Sequence, residues 1–332
     1  MTDCLVDTFQ MALRHFDVLN PRFFLPPVCL RVESCDKLRA LIERQRSEFI
    51  LHVAAGTSER IEALWADAVR DEPFTAGIGV PFSVKPEQMA YNSLVWLFLH
   101  EFQHIELNHF DLLGDFQISE TPNTPAFGIA RRADRQLGPM LRLPAEMRAE
   151  TPRCFELQAD HDAADLLLEA YSTEGWEDLR CKITAISGMM MLIERADAKY
   201  NEASLTHPKA ATRIFQLLGH VTEMPLIRAQ LKAKQTGAKA VDPDDIPSAD
   251  EIQAFGRAVT LPCFFDAVNL ARVVEADTIR ADLGDPADFF QDIATAKLAA
   301  SDQLSQLKTS GAREWAKLVL INDRLKPFQA GQ

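Results

Sequence analysis

The pattern H-E-x-x-H occurs once in the chain, in the stretch HEFQH, which contains His100, Glu101 and His104. Residues four positions apart lie on one face of an α-helix, so both imidazoles can bind the same metal ion. A glutamate beside such a pair can remove a proton from a water molecule. The spacing therefore predicts a site for one Zn²⁺ ion, with Glu101 as its general base.

The residues before this pattern predict a buried helix that keeps the site rigid and dry. They form an uninterrupted apolar run, which comprises Leu94, Val95, Trp96, Leu97, Phe98 and Leu99. Apolar residues on all sides favour a helix inside the core rather than at the surface. The expected C-cap of this helix is Gly114, because glycine readily takes the backbone conformation that ends a helix.

A catalytic zinc ion usually takes three protein ligands, so the pattern has to be completed elsewhere in the chain. The extension H-E-x-x-H-x-x-G-x-x-H is absent, because Leu107 and Phe110 occupy its glycine and last histidine positions. His109 lies about half a turn from His100 on a continuous helix. That position directs its ring away from the site, and His109 is therefore not an expected ligand.

The stretch FELQADHDAADLLL predicts a second helix that supplies the missing ligand. Glu156 and Asp160 are four residues apart and share a face of this helix. Glu156 can therefore bind the metal, while Asp160 accepts a hydrogen bond from a ligand imidazole and fixes its tautomer. His161 and Asp162 lie about 100° and 200° around the helix from Asp160, so we expect them at the surface.

Three motifs in this order resemble the gluzincin peptidases of the HtpX and CAAX-prenyl-protease type. The resemblance covers about residues 90–218, and its motifs are HEFQH, ELQAD at 156–160, and LTHP at 205–208 with Arg213 and Ile214. It implies that Glu156 is the third zinc ligand and that Asp160 hydrogen-bonds a ligand imidazole, most naturally that of His100. It also implies that His207 stabilises the substrate oxyanion. His207 could instead cap the helix that follows Pro208.

Membrane members of that family carry spanning helices, and its secreted members carry signal sequences. The N-terminal residues of this chain contain an early acid and no continuous apolar core, which is not typical of a secretory signal. No apolar stretch reaches the length of about 18 residues that a membrane span needs. We therefore expect a cytoplasmic protein without membrane insertion. Its architecture also shows a weaker resemblance to the Lit-type phage-exclusion peptidases, which are intracellular zinc proteases that act on a host translation factor.

Composition excludes some classes of function. The 332 residues include 48 acidic and 35 basic ones, and the resulting net charge of -13 argues against a nucleic-acid partner. The six cysteines contain no C-x-x-C pair, so neither a disulfide framework nor a cysteine zinc site is indicated. Hydrophobic residues make up 47% of the chain, which is enough for a substantial core.

The order of the expected elements predicts an α+β fold that is mostly α-helical and zincin-like. Residues 1–85 are expected to form a small α/β layer, and residues 86–239 the helical zinc-peptidase core. The C-terminal module, residues 240–332, begins with a polar, acidic and proline-containing linker at 240–249 and is expected to be helical from residue 250 on. The expected core of this arrangement carries both HEFQH and ELQAD.

Local patterns predict several elements around the site. Pro81 cannot donate a hydrogen bond to a neighbouring strand, so residues 77–84 are expected at a sheet edge, where an extended peptide substrate could pair with them. Residues 118–149 show little periodicity and are expected to be irregular, with Thr151 and Pro152 as the N-cap and first residue of the next helix. The other expected elements are strands at 28–32 and 49–53 and helices at 35–46, 177–200 and 208–234.

These residues together predict a zinc-dependent endopeptidase that acts on an intracellular protein or peptide. The competing hypothesis is a binding or regulatory protein on a peptidase scaffold, in which zinc is structural or absent. The intact Glu101 argues against this alternative, because a purely structural site has no need of a general base. The sequence leaves the substrate, its cleavage preference and the oligomeric state open.

Overall fold

Helices dominate the computed structural model of the chain, which describes residues 2–45, 48–77, 85–113, 143–198, 207–298 and 303–329. A small three-stranded sheet accompanies the helices, so the predicted α+β class with mostly helical content is confirmed. In chain order the elements are α1 (Thr2–Leu19), β1 (Val28–Glu33), β2 (Ala40–Gln45), β3 (Glu48–Ala54), α2 (Gly56–Ala68), α3 (Glu72–Ala76), α4 (Pro86–Glu106), α5 (His109–Leu113), α6 (Ala145–Leu168), α7 (Trp176–Asp197), α8 (Ala210–Thr236), α9 (Ala249–Phe255), α10 (Leu261–Val273), α11 (Asp277–Leu283), α12 (Pro286–Leu298) and α13 (Ser310–Gln329).

The sheet has the strand order β1-β3-β2, with β1 parallel and β2 antiparallel to β3. Strands β1 and β3 confirm the two strands that the sequence predicts. The helix predicted at 35–46 is wrong, because this stretch contains β2. The spacing of its apolar residues fits a helix as well as a strand, and pairing with β3 favours the strand. Ile42 lies opposite Leu51 in the buried part of the sheet.

Helix α4 is the buried helix that the apolar run predicts, and it contacts α1, α2, α6 and α7. Trp96, Leu97 and Phe98 have no exposed surface. The helix ends at Glu106 and not near Gly114, which lies outside the described residues. Asn108 takes a left-handed conformation with φ 56° and redirects the chain into α5. The end of α4 is therefore set by a turn at Asn108.

Helix α6 begins at Ala145, so the predicted start at Thr151 and Pro152 is wrong. Pro152 lies inside the helix, where it removes one backbone donor. Thr151 is buried, and its hydroxyl donates to the carbonyl of Met147 at 2.7 Å, a bond within the helix. The expected irregular stretch at 118–149 therefore overlaps the first turn of α6, and its residues 118–142 lie outside the described part of the chain.

The C-terminal helices pack onto α6, which carries the ELQAD motif, and onto its neighbours α7 and α8. α13 contacts α6 and α8, and α10 contacts α7. One hydrophobic cluster includes Leu51, Trp96 and Phe264, which come from all three predicted segments. The segment boundaries themselves stay a prediction, as does the edge strand, whose residues 78–84 are not among those described. Within the described ranges no helix has the length and apolar character of a membrane span.

Candidate metal centre

Two helices bring three potential metal ligands to one point. His100 and His104 come from adjacent turns of α4, and Glu156 comes from α6, which packs against it. The Nε2 atoms of the two imidazoles are 3.3 Å apart, and Oε2 of Glu156 lies 3.1 Å from His100 Nε2. One ligand atom from each residue lies within 4.8 Å of the other two.

The chemistry of this group fits a metal ion. Two imidazole nitrogens and one carboxylate oxygen form a donor set typical of a catalytic zinc site. All three side chains are buried, with at most 3% of their surface exposed. Among the described residues this is the group of histidine, cysteine and acidic side chains whose ligand atoms converge closely enough to hold a metal.

Charged residues lie behind His100. Its Nδ1 is 2.9 Å from Oδ1 of Asp160, and both oxygens of that carboxylate accept hydrogen bonds from Arg213 at 2.6 Å. Burial would raise the pKa of Asp160, but the Arg213 guanidinium keeps it below its ordinary value. Burial would also lower the pKa of His100, but hydrogen bonds to Asp160 and Glu156 raise it to about 9. Trp96 lies beneath the guanidinium at 5.7 Å.

Neutral residues lie behind His104. Its Nδ1 is 2.8 Å from Nδ1 of His109, whose Nε2 lies 2.8 Å from the side-chain oxygen of Gln158. The amide nitrogen of Gln158 in turn donates to the side-chain oxygen of Asn322 on α13. Burial lowers the pKa of His109 to about 4, so its imidazole is neutral at pH 7. Its ring also stacks on Phe155 at 4.2 Å.

This chain of hydrogen bonds fixes the tautomer of His104, the second potential ligand. Because the oxygen of Gln158 can only accept, Nε2 of His109 must donate. The neutral ring of His109 then has an acceptor at Nδ1, so Nδ1 of His104 donates to it. The lone pair of His104 Nε2 is left free to face the proposed metal position. With Nδ1 turned to Asp160 at 2.9 Å, His100 also presents Nε2 to the proposed metal position, where it lies 3.1 Å from Oε2 of Glu156.

His207 also reaches the site, from the segment just before α8. Its Nε2 lies 3.1 Å from Oε2 of Glu156, and its Nδ1 donates to Asp197 at 2.7 Å. Burial would lower the pKa of His207, but these two carboxylates raise it to about 10. The capping alternative is wrong, because the N-cap of α8 is Lys209 and the first amide of the helix donates to Glu194.

Glu101 is buried beside the three potential ligands. No side chain among the described residues forms a hydrogen bond with its carboxylate, and the backbone N–H of Ile42 approaches it. Burial raises the pKa of Glu101 to about 8, against the opposing effect of His100. An unsatisfied buried carboxylate is costly and rare in a purely structural position. Its position next to the potential ligands is the one that a proton-transferring group would need.

Sequence reasoning did not find several residues of this site. His109 was excluded on the assumption of one continuous helix, whereas the turn at Asn108 brings its ring back to His104. An asparagine that can take a left-handed conformation was the available signal for this turn. Asp197 and Asn322 carry no signal in their spacing. They reach the site through the packing of α7 and α13.

Comparison with known proteins supports one class of activity. Residues 80–225 match the family model Peptidase U49, and this range contains all three potential metal ligands. The match supports a peptidase, which is a hydrolase. No curated protein and no solved structure matches the chain.

Proposed function

We propose that this protein is a zinc-dependent endopeptidase of the gluzincin type with a zincin-like core, in which His100, His104 and Glu156 bind the ion. The observation that carries the proposal is the convergence of their ligand atoms, within 4.8 Å of one another, inside a region that matches a peptidase family. When bound, the zinc ion supplies Lewis-acid polarisation of the scissile carbonyl and lowers the pKa of a water molecule to about 7.

Glu101 acts as the general base. It takes a proton from the attacking water and later delivers it to the leaving amine. Its burial supports this role, because the pKa of about 8 lies close to the pH at which the group has to accept and release a proton. No side chain among the described residues forms a hydrogen bond with Glu101, which supports a role in which its carboxylate meets a water molecule.

His207 stabilises the negative charge that develops on the substrate oxygen. Asp197 holds its ring from behind through the 2.7 Å hydrogen bond to Nδ1, and Nε2 faces Glu156. The carboxylates on both sides keep the imidazole cationic at neutral pH, which suits a group that stabilises an oxyanion. Asp197 acts through His207 and is a positioning residue in this scheme.

The substrate that we propose is an intracellular protein or peptide. A more specific form of this proposal, which follows the resemblance to the Lit-type peptidases, is a host protein that is cleaved in defence against phage. Its binding against residues 77–84 stays a prediction. Cleavage can be tested by incubating a cell lysate with the wild-type protein or with the Glu101→Gln variant and comparing the new peptide termini. Termini that appear only with the wild type support the peptidase. Identical termini in both samples would support the non-catalytic binding protein.

Metal binding tests the ligand set separately. We expect about one zinc ion per purified chain. His100→Ala, His104→Ala and Glu156→Ala should each lower the zinc affinity by roughly 100-fold or more, because each removes one of the proposed protein ligands. Glu101→Gln retains zinc, and so does the control His161→Ala, which removes an exposed histidine of α6. Full zinc content in Glu156→Ala would remove Glu156 from the site.

A further inference from the structure

A cavity lies on the face of α6 that is turned away from Glu156. Its volume is about 450 Å³, and residues of α6, α8, α12 and α13 line it. Leu157, Phe215 and Leu318 contribute apolar walls, and Trp315 adds an aromatic one. Cavities of about 300–1,000 Å³ with apolar walls and a few polar groups are typical of small-molecule sites.

Two polar side chains contribute to the walls of this cavity. The side chain of His220 is only 8% exposed, and its Nε2 lies 3.4 Å from Oδ1 of Asp165. Burial lowers the pKa of His220 to about 4, so its ring is neutral and contacts His161 edge to face at 4.9 Å. The indole nitrogen of Trp315 is buried without a hydrogen-bond partner among the described residues. Buried donors are normally paired, so this N–H favours an occupant of the cavity.

Most charges around the cavity are already compensated. Lys297 lies 3.6 Å from Glu223, and Lys326 lies 2.6 Å from Asp323. Asp162 also lines the cavity, but among the described residues it forms no ion pair with a lysine or an arginine. Among the described residues that line the cavity, Asp162 is therefore a charged group without a basic partner.

The surroundings of Asp162 increase its need for a cation. Burial raises the pKa of Asp162 to about 6, and the carboxylates of Glu106 and Asp165 act in the same direction. His161 alone opposes them. The group is nevertheless mostly ionised at pH 7, so the protein holds a partly buried carboxylate beside two others. An ammonium group placed there would relieve this repulsion and gain a charge-assisted hydrogen bond.

We propose that this cavity binds a small molecule with an apolar or aromatic body and one amine, whose ammonium group pairs with Asp162. The body contacts Leu157, Phe215 and Trp315, and His220 supplies a hydrogen bond near the ammonium end. The cavity borders the proposed metal centre, because Gln158 and Asn322, which hold His109, also line it. Its occupant and its test do not depend on the proposed peptidase activity.

The experiment uses the full-length ¹⁵N-labelled protein and two probes of equal shape, 4-phenylbutylamine and 4-phenylbutanol. The reporter is the indole N–H resonance of Trp315, assigned by its loss in Trp315→Phe. We expect the amine to shift this resonance in a saturable manner, with a Kd on the order of 0.1–1 mM for a molecule of this size. The alcohol should bind roughly tenfold more weakly, because it cannot form the charge-assisted bond.

Three variants locate the amine. Asp162→Asn should abolish the preference for the amine over the alcohol, whereas Asp162→Glu retains the charge and should retain the preference. Asp67→Asn removes an exposed carboxylate of α2 that does not line this cavity and should change amine binding by less than about threefold. A Trp315 resonance that neither probe shifts would overturn the cavity as a ligand site. Equal binding of amine and alcohol, or a preference unchanged in Asp162→Asn, would overturn the assignment of the amine.

Discussion

His100 and His104 approach the same point from the same helix, yet the residues behind them are of different chemical kinds. Behind His100 lies the carboxylate of Asp160, clamped by the guanidinium of Arg213. Behind His104 lies the neutral imidazole of His109, held by the amide of Gln158. Both arrangements direct Nδ1 away from the proposed metal position and leave Nε2 facing it. They differ in charge, and this difference shows in the basicity of the two potential ligands.

Burial lowers the pKa of both histidines, but Asp160 and Glu156 raise that of His100 to about 9, whereas the pKa of His104 stays well below its ordinary value. The uncharged partners of His104 do not offset this burial. One imidazole is therefore protonated before metal binding and the other is already neutral. The comparison teaches that one helix can present two chemically different histidines, because their outer nitrogens face different surroundings. The following experiments test how much this difference matters for the metal.

Asp160→Asn should have the largest effect, a loss of about 100-fold in zinc affinity and in turnover. This is the upper end of the losses that follow when a residue that orients a metal ligand is changed. The variant keeps the shape of the side chain, but it removes the charge that makes His100 basic and leaves Arg213 buried without its carboxylate. Zinc titration against a competing chelator measures the affinity. We expect Asp165→Asn, an exposed change on the same helix, to bind zinc like the wild type. An unchanged dissociation constant and turnover would mean that Asp160 does not support His100.

Proton release on zinc binding should follow the same asymmetry. A metal ion binds a neutral imidazole, so at pH 7 His100, with its pKa of about 9, must lose a proton. His104 is already neutral and Glu156 already ionised, because the pKa of each is lowered. Affinity should therefore rise by roughly tenfold per pH unit from pH 7 and level off above pH 9.

Calorimetry of zinc binding in buffers with different ionisation enthalpies counts this proton. The Glu101→Gln variant is the suitable protein, because the pKa of about 8 at Glu101 would otherwise add a second proton to the count. We expect about one proton per zinc ion at pH 7 and a smaller number when Asp160→Asn is added. Zinc binding without any proton release would contradict a protonated His100.

The parts of this site that sequence predicts are those set by local helix geometry. His100 and His104, like Glu156 and Asp160, are separated by one turn, and the period of an α-helix places each pair on one face before any packing is known. The buried position of α4 follows from its apolar run in the same way.

The remaining parts depend on the path of the chain and on packing between distant segments. His109 meets His104 because of one left-handed residue, Asn108. Asn322 is 164 positions from Gln158, and only the packing of α13 on α6 brings them together. The strand β2 was predicted as a helix for a related reason, because its short apolar run fits either structure until a neighbouring strand is known.

His109→Phe tests the uncharged residues behind His104. We expect it to lower zinc affinity by about tenfold, the smallest effect among these predictions. Phenylalanine keeps a flat ring that can stack on Phe155, but it removes the acceptor for His104 Nδ1 and the donor to Gln158. His104 then loses the hydrogen bond that fixes its tautomer. The loss should be smaller than for Asp160→Asn, because neutral hydrogen bonds are weaker than charge-assisted ones.

The matched control is Phe155→Leu, which removes the stacking partner of His109 but retains the chain of hydrogen bonds. We expect this variant to bind zinc within about threefold of the wild type, because the tautomer of His104 is still fixed. The chelator competition used for Asp160→Asn gives all three affinities on one scale. A loss in His109→Phe as large as that in Asp160→Asn would show that charge is not what separates the two histidines. Wild-type affinity in His109→Phe would instead reduce His109 to a packing residue, leaving His104 to hold its tautomer through the metal alone.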